Sequence, residues 1–219
     1  MHERLHPPVR TYKVRRRVTT GQADALARLL PRYGVDPGAP LDPVAAFGRR
    51  APLVVEVGSG MGEATAAMAA ADPDRDVLAV EVHTPGLGNL LRLLEAAGLT
   101  NVRVVEADAR AVLRDLLAPG SVEEVRVYFP DPWPKARHAK RRLVSPEFAD
   151  LVADRLRPGG RLHLATDWPA YADQAAAVLQ AHAAYEVVSR ERGARPVTRF
   201  EQRGTDAGRA SADLVARRR

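Results

Sequence analysis

From residue 53 onward the chain alternates short apolar runs with stretches of helical periodicity, and this alternation restricts the fold more than any other feature. LVVEV (53–57), DVLAVEV (76–82), VRVVEA (102–107), EVRVYF (124–129) and RLHLAT (161–166) have the length and near-continuous apolarity of buried parallel strands. Helical candidates lie at 62–71, 86–97, 109–117, 146–156 and 171–182. Strand and helix repeated in this way predict an α/β fold, a mostly parallel doubly wound sheet with helices on both faces. YEVVSR (185–190) is a candidate sixth strand, and the tail beyond residue 196 is expected to return as an antiparallel edge, which makes about seven strands. The 219 residues suit a single core of this kind.

Residues 1–51 read as a basic arm with a short helix, and residues 52–219 as the main domain. Thr19 and Thr20 can cap a helix over 22–30, and Pro31, Pro37, Pro40 and Pro43 are expected to break the chain after it. The absence of cysteine excludes disulfides, thiolate zinc sites and cysteine nucleophiles, and fits a reducing compartment, so a cytoplasmic location is expected. The N-terminal MHERLHPPVRTYKVRRR has charge without an apolar stretch behind it, and no apolar run has the length of a membrane span, so neither secretion nor insertion is expected. No spacing of His, Asp and Glu suggests a metal site. The net charge is +6. Its cations cluster at 10–17, 135–142 and 190–203, with a terminal group at 217–219, and clustered cations favour a polyanionic partner.

Ligands of open α/β sheets sit at the carboxyl ends of the strands. Four acids fall there: Glu56 before the turn Gly58-Ser59-Gly60-Met61-Gly62, Glu81 ending the second run, Asp108 after the third and Asp131 after the fourth. Gly58 and Gly60 permit a tight turn and close approach of a ligand, a feature shared by dinucleotide enzymes and methyltransferases. Glu63, at a helix start, opposes a pyrophosphate. Glu56, a carboxylate inside an apolar strand, costs free energy unless paired and suits an amine-bearing or cationic ligand. Glu81 can accept ribose hydroxyls and Asp108 an adenine amino group, although either could be an ordinary cap. Together these acids suit S-adenosylmethionine, which has an amine, a sulfonium, a ribose and an adenine but no phosphate.

The block PDPWPKARHAKRR comes after the fourth run. Pro130, Pro132 and Pro134 stiffen it and forbid helix. Trp133 either stacks on a base or plugs the core beneath the loop. The cations from Lys135 through Arg137, His138, Lys140, Arg141 and Arg142 are either a solvated basic face or RNA phosphate contacts, and their position beside a ligand-bearing strand end favours the latter. Asp167 and Trp168 come after the fifth run, where they could reach a ligand or cap the next helix.

VVEVGSGMGE, AVEVHTPG, PDPWPKARHAKRR, ATDW and VTRFEQRG together resemble the bacterial tRNA (guanine-N7)-methyltransferases, over residues 53 to about 204. The resemblance implies a Rossmann-like class I methyltransferase fold, S-adenosylmethionine as donor, tRNA as substrate, and methylation of a guanine in the variable loop, position 46. It implies a monomer or homodimer needing no protein partner. Glu56, Glu81, Asp108 and Asp131 match cofactor positions, and Asp131 also matches the catalytic one. Lys135, Asp167 and the segment Thr198, Arg199, Phe200 and Glu201 match substrate-binding positions; without the resemblance this last segment reads as a loop. The tail TDAGRASADLVARRR departs from the family pattern, lacking its His-rich stretch. Two other functions compete. An exocyclic-amine methyltransferase would carry Asp/Asn-Pro-Pro-aromatic rather than Pro130-Asp131-Pro132-Trp133, and a non-catalytic RNA-binding relic would not need the cofactor acids.

Overall fold

A computed structural model describes residues 17–219, so all of the 10–17 cluster except Arg17 lies outside the described residues. The chain divides into two compact units between Ala118 and Pro119.

The first unit contains α1 (Thr20–Tyr33), α2 (Pro43–Phe47), β1 (Leu53–Val57), α3 (Glu63–Ala71), β2 (Asp76–Glu81), α4 (Thr84–Ala96), β3 (Val102–Glu106) and α5 (Ala109–Ala111), which runs into a π-helical turn, Val112–Leu116. α1 opens with a capping box: Thr19 Oγ1 accepts the Gln22 N–H, and Gln22 Oε1 accepts the Thr19 N–H at 2.9 Å. It does not stop at Pro31 but continues to Tyr33. The proline removes one hydrogen bond of the last turn, while Tyr33 beyond it is buried and donates to the Leu99 carbonyl at 3.0 Å. Pro43 likewise starts a helix, since the first helical position is where a missing N–H costs least, and Asp42 caps it.

Ala25, Leu29 and Tyr33 of α1 join Val54, Val77, Ala79, Val102, Val104 and the α4 leucines Leu87, Leu90, Leu91 and Leu94 in one buried cluster. The core of this unit therefore crosses the boundary at residue 52. Burial of a leucine side chain contributes roughly 1.5–3 kcal/mol, so α4 is the main apolar cover of β1–β3.

The second unit contains β4 (Val122–Tyr128), a 3₁₀ helix (Ala136–Arg141), α6 (Pro146–Arg155), β5 (Leu156–Thr166), α7 (Pro169–Ala181), β6 (Tyr185–Ser189), α8 (Arg199–Asp206) and β7 (Ala212–Arg218). β4 pairs parallel with β5, and β7 pairs antiparallel with both β5 and β6. The sheet order is β3-β2-β1-β4-β5-β7-β6, a seven-stranded, mostly parallel sheet whose antiparallel edge is the β7–β6 pair. The tail thus returns inside the edge rather than on it. α8 corrects the expectation of a loop there: Thr198 caps it by accepting the Glu201 N–H at 3.1 Å.

Candidate active site

At the end of β1 the backbone turns through Gly58, Gly60 and Gly62, with φ of 79°, 59° and 84°. These values lie in the left-handed region that side chains strongly disfavour. The turn is also crowded. A Cβ on Gly62 would lie 2.6 Å from Leu90 Cβ, and one on Gly86, in the first turn of α4, 2.1 Å from the Gly60 carbonyl oxygen. Asn89 fixes the same turn from α4, donating to the Met61 carbonyl at 2.6 Å.

Of the expected cofactor acids, Glu56 and Glu81 lie at this turn, and Asp108 lies beyond the end of β3. Glu56 is buried within apolar β1. Glu81 is buried too; its Oε2 accepts the Gly60 N–H at 2.7 Å, and its Oε1 accepts those of Val82 and His83 at 2.7 and 2.8 Å. Burial raises the Glu81 pKa, and the N–H groups of His83, Gly60 and Val82 offset part of that rise. Glu81 therefore locks the glycine turn to β2 while keeping part of its acceptor capacity, about four sites in a carboxylate. Asp108 caps α5, its Oδ1 accepting the Arg110 and Ala111 N–H groups at 2.9 and 3.3 Å. Its ordinary alternative role is thus present, and it occupies one oxygen.

The Ser59 hydroxyl, inside the same turn, is buried with no hydrogen-bond partner. A buried hydroxyl without a partner is costly and calls for a ligand or a water. With two buried carboxylates, Glu63 in the first turn of α3 and a glycine cradle, the set fits S-adenosylmethionine and disfavours a diphosphate. Among the described residues no group of His, Asp or Glu could hold a metal ion, and no helix is long and apolar enough to cross a membrane.

In the second unit, β4 ends in a strained loop. Phe129 and Trp133, with φ of 50° and 43°, are the non-glycine residues with left-handed backbone among the described residues, and they bracket Asp131. Each costs on the order of 1–3 kcal/mol and persists only where the surroundings enforce it. Trp133 is buried, with the Arg141 guanidinium 4.8 Å above its ring and His138 at its edge. It is the plug beneath the loop rather than an exposed stacking platform.

The basic run is divided. Lys135, Arg137, Lys140 and Arg141 are exposed. Arg142 is buried, and it donates to the carbonyls of Pro132 (2.9 Å) and Ala170 (3.1 Å) and to Gln174 Oε1 (2.6 Å). A guanidinium so engaged braces the Asp131 loop from within. His138 has its pKa lowered by burial first and then by Arg141, Arg137, Lys135 and Lys140, so it adds a positive charge to this face only in acid.

The other substrate candidates are grouped around α8. Asp167 accepts from Arg209 Nε at 2.8 Å, and a Cβ on Gly204 would lie 2.7 Å from Asp167 Oδ2, so α8 approaches Asp167 closely because Gly204 has no side chain. The cap of α7 is Trp168, not Asp167. Arg199 and Phe200 are exposed. Glu201 is not: it is buried and accepts from Arg192, Arg195 (2.7 Å) and Ser211 (2.6 Å). A hydrogen bond from Glu201 to substrate would require displacing one of these donors, so Thr198 and Glu201 anchor the helix that displays Arg199 and Phe200.

Residues 50–214 match the family model described as "Putative methyltransferase". The tRNA (guanine-N(7)-)-methyltransferase of Streptomyces avermitilis is 54% identical over 218 residues, covering 96% of this chain and 75% of the relative. That of Methylococcus capsulatus is 50% identical over 221 residues, covering 97% and 96%. The chain belongs to the tRNA (guanine-N7)-methyltransferase family. Among solved structures, the 16S rRNA methyltransferase KamB matches with a TM-score of 0.60 at 21% identity, covering 80% of this chain and 93% of that one. The [4+2]-cyclase SpnF matches at 0.55 with 15% identity, covering 92% and 97%, so these likenesses carry the fold alone.

Sequence reasoning missed a buried polar cluster built from β4, β5, β7 and α8. Tyr128 Oη meets His163 Nδ1 at 3.1 Å, His163 Nε2 meets Asp213 Oδ1 at 2.8 Å, and Arg195 bridges Asp213 (Nη2 to Oδ2, 2.7 Å) to Glu201. The available signal was a His inside RLHLAT and an Asp inside ADLVA, polar groups in apolar strands. Burial raises the Asp213 pKa, but the hydrogen bonds from His163 and Arg195 outweigh it and hold the pKa at about 2. For Glu201 burial is likewise outweighed, by Arg195, Ser211 and Arg192, and its pKa is lowered. A depressed carboxylate pKa stabilises the fold above the unfolded value, about 3.9 for Asp, and the contribution is lost as pH falls through the folded value. Urea melts should therefore show roughly 2–3 kcal/mol less stability at pH 2 than at pH 6 from Asp213 alone, with Glu201 adding in the same sense; a flat profile below pH 4 would contradict the ion cluster.

Proposed function

We propose that the chain transfers a methyl group from S-adenosylmethionine to N7 of a guanine in tRNA, at position 46 of the variable loop. The observation that carries this reading is 54% identity over nearly the whole chain to a relative bearing that activity's name. The phosphate-free chemistry of the glycine-turn acids supports the donor. When bound, S-adenosylmethionine supplies an electrophilic methyl group on sulfonium.

Glu56, Gly58, Gly60, Glu81 and Asp108 are assigned to holding that donor, with Asp131 also among its positions by the family motif. Residues 52–219 are assigned as the catalytic domain, with residues 1–51 a basic arm, and the cytoplasm as location. Guanine N7 has an in-plane lone pair and no proton to lose, so no general base is needed and positioning dominates. Asp131 accepts hydrogen bonds from guanine N1–H and the exocyclic amine, which become better donors as positive charge develops on the purine. Lys135, Asp167, Arg199 and Phe200 are assigned to the nucleoside and its flanks; Arg137, Lys140 and Arg141, with His138 in acid, to phosphates.

Aniline cleavage of a tRNA transcript treated with the protein and donor tests the reading, because 7-methylguanosine makes the chain labile at its own position. Scission at position 46 is expected; methyl incorporation without scission would point to an exocyclic amine and overturn the proposal. For the basic face, replacing Arg137 and Lys140 with Gln should weaken tRNA binding and lower the slope of log K against log salt by about 1–2. An unchanged slope would remove those residues from the interface.

A further inference from the structure

We propose that Arg195 is a positioning residue for Asp131, holding the end of β4 in the strained geometry from which Asp131 meets the base. This inference depends on the assignment of Asp131 given above. Its starting point is Phe129, two residues before Asp131, which has a left-handed backbone that a bulky aromatic residue disfavours. Phe129 is held on two sides. Its N–H donates to the Ala165 carbonyl at 2.8 Å, and the Arg195 guanidinium lies 5.2 Å above its ring and 5.5 Å above that of Tyr128.

Arg195 itself is fixed. Its side chain is fully buried, with Nε and Nη2 on Asp213 at 2.9 and 2.7 Å and Nη1 on Glu201 at 2.7 Å. Asp213 is oriented in turn by His163, and His163 by Tyr128, so the cluster closes back on the residue before Phe129. A planar fork that satisfies two carboxylates in its plane leaves its face free to pack on aromatic rings, a combination that a lysine ammonium, with no planar fork, does not offer. Arg195, with its side chain fully buried, does not reach solvent. The cluster therefore acts on the reaction through the backbone of residues 128–131.

The test is a double-mutant cycle on the full-length protein with Arg195→Lys and Asp131→Asn, reading kcat, KM for tRNA and S-adenosylhomocysteine affinity. Arg195→Lys keeps the charge and is expected to lower kcat about 10-fold while S-adenosylhomocysteine affinity changes less than about 2-fold. In the Asp131→Asn background the same substitution should lower kcat less than about 2-fold, because the group being positioned is already disabled. An equal loss in both backgrounds, or no loss in either, would overturn the inference. If Asp131→Asn alone leaves kcat unchanged, the assignment of Asp131 fails instead, so the two failures are distinct. Asp213→Asn, which is isosteric and keeps one oxygen for Arg195, goes through the same cycle should Arg195→Lys not fold, with the same outcomes decisive.

Discussion

Asp131→Asn should lower kcat for tRNA methylation on the order of 10²-fold while leaving the melting temperature and S-adenosylhomocysteine affinity near wild type. The substitution preserves shape and removes the charge. It also turns one oxygen into an N–H donor that faces the N1–H and amine donors of guanine, so an attractive pair becomes a repulsive one at the moment the purine gains positive charge. The loop itself should survive. Its geometry is held by buried Trp133, by Arg142 on the Pro132 carbonyl and by the Phe129 N–H on Ala165. Single-turnover rates with unmodified transcript give the comparison, and wild-type turnover in this variant would remove Asp131 from the reaction.

The second large effect is on stability. Arg195→Met leaves the carboxylates of Asp213 and Glu201 buried without their common partner, and breaking a buried pair from one side costs about 3–5 kcal/mol. For a chain of this size that corresponds to a fall in melting temperature of roughly 10 °C at pH 7. The pH dependence should also change. Without Arg195, both carboxyl pKa values rise from their depressed values, although His163 stays on Asp213 and Arg192 and Ser211 stay on Glu201, so protonation sets in at higher pH and the gap between variant and wild type should narrow as pH falls from 7 to 4. Melts at the two pH values test this; a gap of the same size at both would mean that the stability loss comes from packing rather than from uncompensated charge.

Much of the fold was legible because parallel strands buried on both faces leave continuous apolar runs, and five such runs from Leu53 onward give β1 to β5 almost in place. The buried acid of β1 was legible for the complementary reason: Glu56 stands out because a carboxylate in an apolar strand demands an explanation. α8 was not legible. RFEQRGTD has little apolar content, and what makes it helical is the Thr198 cap and the anchoring of Glu201 by Arg192, Arg195 and Ser211, contacts that no local pattern contains. The same limit hid the division within the basic run. Arg141 and Arg142 are adjacent in sequence, yet one is exposed over Trp133 and the other buried under the loop, a difference set by α7 through Ala170 and Gln174. Pro31 and Pro43 misled in the opposite direction: Pro43 sits at the first helical position, where its missing N–H costs little, and Pro31 costs one bond of the last turn while Tyr33 beyond it is held by burial and by its bond to the Leu99 carbonyl.

Methylation of the ring nitrogen N7 of guanine in tRNA is decided by incubating the full-length protein with unmodified tRNA and methyl-labelled S-adenosylmethionine, digesting the tRNA to nucleosides and separating them. All label should co-migrate with 7-methylguanosine. Label in N2-methylguanosine or any other nucleoside, or no transfer by protein that binds the donor, would contradict that activity.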